Sequence, residues 1–135
     1  MTEPEHGHVI LYSYLWAREF VRGEESGRKA RPTCVMVIVA GKNGRTRPLL
    51  FPITSKAPGP DRRCVEIPET EAKRAKLHTP AWVIVDEFNV DDLATSWALE
   101  STVPVGQFTR RFMAKIAAEA AAAIRAKNIR SIPRQ

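Results

Sequence analysis

The stretch "PTCVMVIVAGKNGRTRPLLFPITS", residues 32–55, decides the fold. Residues 34–40 carry no polar side chain, which is typical of a strand buried on both faces. The Asn43-Gly44 dipeptide that follows is a strong signal for a tight turn between two strands. A second apolar run at residues 48–55 completes the pattern. The sequence therefore predicts that strand 32–40 turns directly into strand 48–55 as a hairpin.

Further strands are expected on both sides of this hairpin. Runs rich in β-branched and aromatic residues predict strands at 8–16, 64–68 and 81–90, and a short strand or turn at 93–99. Residues 17–30 are charged and residues 56–63 are rich in proline, so both predict loops. Residues 69–78 are compatible with a short helix or with a solvated loop.

The C-terminal part is expected to be a helix, because residues 109–128 are alanine-rich and amphipathic. Thr109 is the expected N-cap, Phe108 and Met113 would form a hydrophobic staple, and Asn128 would end the helix. The apolar residues expected on one helical face are Phe112, Met113, Ile116, Ala120, Ala123 and Ile124.

These elements predict a mainly β fold with α: a small twisted antiparallel barrel capped by an amphipathic C-terminal helix. One domain is expected over residues 1–135, with the barrel at about 7–105 and the helix at about 108–128. No apolar run is long enough for a membrane span, and the acidic N-terminus does not fit a signal peptide. A cytoplasmic protein with no membrane partner is therefore expected.

The net charge indicates what kind of partner to expect, and the cysteines and histidines bear on disulfides and metal sites. The net charge is +6 and the pI is about 9.7, which favours a polyanionic or acidic partner. Cys34 and Cys64 lie in apolar runs and are expected to be small buried hydrophobes, although a disulfide is possible. The histidines and cysteines match no zinc spacing, so no metal or other cofactor is expected.

Three cations, Arg28, Lys29 and Arg31, stand directly before the buried strand. Because Pro32 favours an extended backbone at the preceding residue, the Arg31 side chain should project from the start of a rigid strand. Arginine provides paired donors to phosphate oxygens, so Arg31 is the candidate phosphate clamp, with Arg28 and Lys29 following the backbone of a nucleic acid. The alternative is that these charges only deter pairing between sheet edges.

Polar residues at two other strand ends could join Arg31. The hydroxyls of Thr54 and Ser55 could donate to the same phosphate, or could bond locally to the backbone of a turn. Asp86 follows the apolar run at residues 81–85 and could act as a general base, or could simply end the strand in solvent.

The remaining candidates are cations and one aromatic ring. Lys56, Arg62 and Arg63 flank the proline-rich connection and could extend a cationic groove, or keep an exposed loop soluble. Trp16 could stack on an unpaired base, although most aromatic residues of a small barrel belong to the core or to a dimer contact.

Taken in order, the motifs resemble those of the MazF/PemK (Kid) toxins of type II toxin–antitoxin systems. "HVILYSYLW" followed by a charged loop and "RKARPTCVMVIV" looks like the opening strand, mobile loop and basic Arg-Pro strand of that family. "LLFPITS", "PAWVIVDEFNVD" and "VPVGQFTRRFMAKIAAEAAAAI" are similar to three later segments of the family, in the right order. The resemblance covers most of residues 7–127.

The resemblance implies an SH3-like (MazF/CcdB-like) barrel, a homodimer and a metal-independent endoribonuclease that cleaves single-stranded RNA. It also implies a cognate antitoxin protein that covers the RNA groove with an acidic segment. Together with the resemblance, the residues predict Arg31, Thr54 and Asp86 as catalytic and Arg28, Lys29, Ser55, Lys56 and Trp16 as RNA-binding.

One residue differs from the family pattern, and this difference leaves other functions open. Kid-like members carry an arginine two residues before the strand-end acid, whereas this chain has Ile84 there. The chain could therefore be a catalytically inactive barrel that binds RNA or an acidic peptide, or a toxin directed at a protein.

Overall fold

The computed structural model describes residues 4–23, 29–40, 44–96, 98–101 and 103–134. These residues form a mainly β structure with three helices. The elements are β1 (His8–Tyr12), α1 (Ala17–Val21), β2 (Arg31–Ala40), β3 (Arg45–Thr54), β4 (Cys64–Glu66), α2 (Glu69–Arg74), β5 (Trp82–Ile84), β6 (Glu87–Val90), β7 (Gly106–Gln107), α3 (Arg110–Arg125) and β8 (Arg130–Pro133).

The hairpin expected at residues 32–55 is confirmed. β2 and β3 pair antiparallel from Thr33 opposite Pro52 to Ala40 opposite Arg45. Gly44 has a φ of +72°, in the left-handed region that glycine adopts without a steric penalty. Asn43 itself lies outside the described residues. The two longest strands thus form the middle of the sheet.

The strands form one curled sheet in the shape of a half-barrel. The order is β4-β5-β3-β2-β1-β7, and β6 joins β3 on one side and β8 on the other. All described pairs are antiparallel except β6–β8, which is parallel. The mainly β architecture and the C-terminal helix therefore agree with the sequence-based expectation.

The apolar stretch 81–90 was expected to be one strand, and this is wrong, because it forms two. Between the Ile53–Val83 and Leu50–Asn89 pairs, β3 advances three residues whereas its partner advances six. The extra residues form a bulge that separates β5 from β6 and contains Asp86. Bulges bend a sheet and redirect side chains, which places this carboxylate away from the regular ladder.

Three other boundaries differ from expectation. The first strand ends at Tyr12 instead of continuing to residue 16, and part of the expected loop at 17–30 forms α1. In the described part of 93–99 only Leu99 makes a bridge, to Tyr12. β8 was not expected at all, because a four-residue strand ending in proline has no local signal and pairs with a strand about 40 residues away.

The C-terminal helix is confirmed, with Thr109 as its N-cap. The Thr109 hydroxyl accepts a hydrogen bond from Phe112 N at 3.2 Å and donates one to Glu71 of α2 at 2.6 Å. One prediction for this helix is wrong, because Ile124 is 55% exposed. The buried face consists of Phe112, Met113, Ile116, Ala120 and Ala123.

Gly106 of β7 allows a close approach between the sheet and α2. A β-carbon added at this position would lie 2.5 Å from Ala75 Cα, closer than such atoms approach in folded proteins. The neighbouring atoms belong to the backbone of Arg74 and Ala75 and cannot move independently of α2. Only glycine therefore fits where β7 passes the end of α2.

The two cysteines are free. Cys34 is completely buried as expected, with its sulfur 3.6 Å from Met113 Sδ, and burial raises the pKa of its thiol to about 12. Cys64 is only half-buried. Cys34 is therefore a core residue with an unreactive thiol.

A buried layer of polar side chains connects β1, β6 and the segment after β8. Tyr12 donates to Asp91 at 2.7 Å and accepts from Arg134 at 3.1 Å. Asn89 bonds both the N–H and the carbonyl of Leu15, at 2.9 and 2.8 Å. Because Tyr12 and Asn89 are completely buried, these bonds offset the cost of removing their polar groups from water.

The buried phenols of Tyr12 and Tyr14 predict a loss of stability in alkali. Burial first, and then a neighbouring carboxylate, raise the pKa of both Tyr12 and Tyr14 above the ordinary value. The unfolded chain releases these protons near pH 10 while the folded chain retains them, so the unfolding free energy falls as pH rises above about 10. Urea denaturation at about pH 9 and pH 11 measures this decrease. Tyr12→Phe should make the decrease shallower, and an unchanged slope would contradict the assignment.

Candidate functional site

An open cleft of about 490 Å³ lies where β2 begins and β3 ends. It brings together Arg31, Thr54, Lys56 and Trp16, which the sequence singled out separately. It also includes Arg18 and Arg62, so four basic side chains surround one space. The complete lining is Trp16, Arg18, Arg31, Thr54, Lys56, Ala57, Pro58, Gly59, Arg62 and Ile84.

Arg31 is held at this cleft by strand pairing and by an aromatic ring. It is the first residue of β2 and pairs with Tyr12, the last residue of β1. Its guanidinium lies 5.0 Å from the centroid of the Trp16 ring, within the range of a cation–π interaction. Its Nε atom is buried and has no hydrogen-bond partner among the described residues. Arg31 therefore lines the cleft and has one buried donor that no described residue satisfies.

Arg18 of α1 places a second positive charge beside Arg31. Its guanidinium lies 4.8 Å from the centroid of the same Trp16 ring. Burial first, and then the charge of Arg18, lower the pKa of Arg31, whereas the Glu19 carboxylate opposes this change. Two guanidinium groups near one ring repel each other, and an anion bound between them would relieve that repulsion.

Trp16 supports these arginines more than it offers a surface to a ligand. Trp16 is only 7% exposed, and its ring packs against the Tyr14 ring in a T-shaped arrangement with centroids 5.1 Å apart. The backbone N–H of Trp16 donates a hydrogen bond to Glu19 Oε1 at 3.0 Å, and this bond fixes the first turn of α1. Little ring area is left for the base stacking expected from the sequence, so we interpret Trp16 as a platform for Arg31 and Arg18.

Thr54 and Lys56 also line the cleft. The Thr54 hydroxyl accepts from Lys56 N at 3.1 Å and lies 3.4 Å from Lys56 O. This is the local turn bond that the sequence left open as an alternative. Thr54 is half-buried, while Ser55 and Lys56 are exposed. The turn thus adds a hydroxyl residue and a lysine to the same lining as the arginines.

Asp86 does not line the cleft but contacts Arg62, which does. Its Oδ1 accepts from Arg62 Nη2 at 2.6 Å, and its Oδ2 accepts from Arg62 Nε at 3.0 Å and from Arg63 N at 3.0 Å. Both carboxylate oxygens are therefore bonded. The general-base role expected for Asp86 remains a prediction, and this geometry favours a different role, in which Asp86 orients Arg62.

Glu87 links Arg62 to α1 through the interior. One oxygen accepts from Arg62 Nη2 at 2.9 Å, and the other accepts from Tyr14 Oη at 3.0 Å and from Ala17 N at 2.9 Å. The side chain is only 3% exposed. Through Glu87, the position of Arg62 is coupled to the start of the helix that carries Arg18.

The basic cluster before β2 is only partly described. Arg28 lies outside the described residues, and Lys29 is exposed and does not line the cleft. Arg63 pairs instead with Glu119 of α3 at 3.0 Å. Sequence reasoning missed Arg18, because residues 17–30 appeared to be a loop; the only available signal was the Glu19 that stands three residues after Trp16.

Neither a comparison with protein-family models nor one with curated proteins yields a match to this chain. In the part of the chain that the structure describes, no three His, Cys, Asp or Glu side chains converge to hold a metal ion. The described helices include none that is long and apolar enough to cross a membrane. The functional assignment therefore depends on the chemistry of the cleft.

Proposed function

We propose that this protein is a metal-independent endoribonuclease that cleaves single-stranded RNA, a toxin of the MazF/PemK type with an SH3-like barrel. The observation that carries the proposal is the convergence of Arg18, Arg31, Lys56 and Arg62 on one cleft beside the Thr54 hydroxyl. The net charge of +6 favours the same class of ligand.

The chemistry follows from what a phosphodiester needs. The 2′-oxygen attacks phosphorus as its proton leaves for solvent, the bond from phosphorus to the 5′-oxygen breaks, and that oxygen takes up a proton. The phosphate gains negative charge in between, and a fixed guanidinium such as Arg31 stabilises that charge. Thr54 donates a further hydrogen bond to a phosphate oxygen, while Lys56 and Arg18 attract the strand.

As part of the same proposal, the protein forms a homodimer, and an acidic segment of an antitoxin inhibits its activity. The basic cleft would attract such a segment for the same reason that it attracts RNA. Ile84, at the position where that family can carry an arginine, forms an apolar part of the cleft wall. In this proposal Arg31 and Thr54 therefore act without a donor from that position.

A second candidate function is RNA binding without cleavage. It is favoured by one observation: no carboxylate belongs to the residues that line the cleft, and Asp86 beside it has both oxygens bonded to the residues at 62–63. Such a protein would have the same affinity for single strands but would leave them intact.

The deciding experiment incubates the protein with mixed-sequence single-stranded RNA in excess EDTA. Fragments that end in a 2′,3′-cyclic phosphate and begin with a 5′-hydroxyl are expected. Intact RNA that shifts in a gel would support the binding function instead. Intact RNA without a shift would overturn both and leave a protein-directed toxin.

Thr54→Val is expected to lower the cleavage rate by about 10- to 100-fold, because a hydrogen bond to a charged phosphate is lost. The rate is measured by single-turnover cleavage. Thr46→Val, at the exposed far end of the same strand, is the matched control and should cleave at the wild-type rate. Equal rates for Thr54→Val and the wild type would remove Thr54 from the mechanism.

A further inference from the structure

We propose that Arg62 is a second catalytic arginine, which Asp86 and Glu87 hold in place so that its remaining nitrogen binds the reacting phosphate. This inference rests on the proposed function, since it assigns a role within the same cleft. It gives Asp86 the role of a positioning residue.

The hydrogen bonds of Arg62 leave one part of its guanidinium available. Nε and Nη2 donate to Asp86, and Nη2 also donates to Glu87. Nη1 makes no hydrogen bond to any residue in the described ranges. The side chain is 30% exposed and lines the cleft. The free nitrogen therefore belongs to a guanidinium that borders the same space as Arg31.

The backbone at Arg62 is fixed as firmly as its side chain. Arg62 N donates to Gly59 O at 3.0 Å, and Arg63 N donates to Asp86 Oδ2 at 3.0 Å. In return, Val85 N donates to Arg63 O at 3.0 Å. The loop before β4 is thus attached to the bulge between β5 and β6. A donor held in advance loses little entropy when it engages the transition state.

Electrostatics indicate which kinetic constant Arg62 should affect. Asp86 and Glu87 are both close to its guanidinium, so they offset its positive charge and reduce its attraction for a distant anion. The carboxylates instead fix the direction of the N–H group. A fixed donor contributes most when the phosphate gains charge during the reaction. Arg62 should therefore accelerate the chemical step more than it strengthens RNA binding.

Lysine is the informative substitution. An ammonium can still pair with Asp86 and Glu87, but it has no second nitrogen to offer to the cleft. Arg62→Lys is expected to lower kcat for a single-stranded RNA by about 100-fold. KM, and the Kd of a non-cleavable 2′-O-methyl oligonucleotide, should stay within about threefold of the wild type. A purely structural role would lower the thermal unfolding midpoint without this separation of kcat from KM.

Arg63→Lys is the matched control, because Arg63 is adjacent, pairs with Glu119 and does not line the cleft. It should leave kcat unchanged. A wild-type kcat in Arg62→Lys, or an equal loss in Arg63→Lys, would overturn the inference.

A second measurement covers the case in which Arg62→Lys unfolds. The ¹⁵N signals of the Arg62 guanidinium are followed in the wild type as the 2′-O-methyl oligonucleotide is added. A shift of these signals at saturation is expected, and unchanged signals would overturn the inference. If the wild type binds the oligonucleotide with this shift but cuts no RNA, the proposed enzyme activity fails while the Arg62 contact stands. If it neither cuts nor binds, both fail.

Discussion

Arg31→Ala is expected to lower kcat for RNA cleavage by about 1,000-fold, the largest effect that we expect from one side chain. Arg31 combines a fixed position on Trp16 with a buried Nε that has no partner among the described residues. Its removal takes away charge and directed donors together. Single-turnover cleavage in EDTA measures the loss.

Two further variants separate charge from geometry. Arg31→Lys keeps a positive charge but cannot donate through two nitrogens, so we expect it to recover little of the lost rate. Arg47→Ala removes an exposed arginine from the other end of β3 and should cleave at the wild-type rate. The active site lies elsewhere if the cleavage rate of Arg31→Ala is within about threefold of the wild-type rate while the rate of Arg47→Ala falls further than that.

Glu87→Ala is expected to lower the free energy of unfolding by about 3–5 kcal/mol, the largest effect on stability that we expect from the site. The carboxylate is buried and accepts from Arg62, from the Tyr14 hydroxyl and from Ala17 N. Alanine would leave the Tyr14 hydroxyl and Ala17 N without this acceptor in the interior, and would leave Arg62 paired with Asp86 alone. The loss therefore exceeds that of an ordinary truncation.

Urea denaturation followed by tryptophan fluorescence measures this change. Glu119→Ala is the matched control: Glu119 also pairs with an arginine, but its side chain is 41% exposed, and its removal should cost less than about 1 kcal/mol. Equal losses in the two variants would show that burial of Glu87 does not determine its contribution.

Local signals predicted the parts of the fold that depend on neighbouring residues. The hairpin around Gly44 and the helix beginning after Thr109 follow from turn and capping preferences that act over a few positions. The bulge at Asp86 and the parallel strand β8 do not, because they arise from pairing with distant segments. β-structure depends strongly on such tertiary context.

The residues of the candidate site divide in the same way, into those with a local sequence signal and those without one. Arg31, Thr54 and Lys56 were found because each stands at or just after the end of a recognisable strand. Arg62 was considered only as one of several loop cations, because nothing nearby in the sequence indicates its pairing with Asp86, 24 residues away. Arg18 was missed because α1 is too short for a periodic pattern.

The layer that joins Tyr12 to Arg134 has a consequence for the order of events during protein synthesis. The two residues are 122 positions apart, and Arg134 also donates to Ser13 O at 2.7 Å, next to the segment that leads to Trp16. On the ribosome, this layer cannot close until residue 134 has left the exit tunnel. Until then, Tyr12 lacks its hydrogen bond from Arg134, and Ser13 O lacks its partner from the C-terminal segment. We therefore expect this polar layer to be completed only after synthesis has passed residue 134, so that the hydrogen bonds between the N-terminal and C-terminal segments are among the last to form.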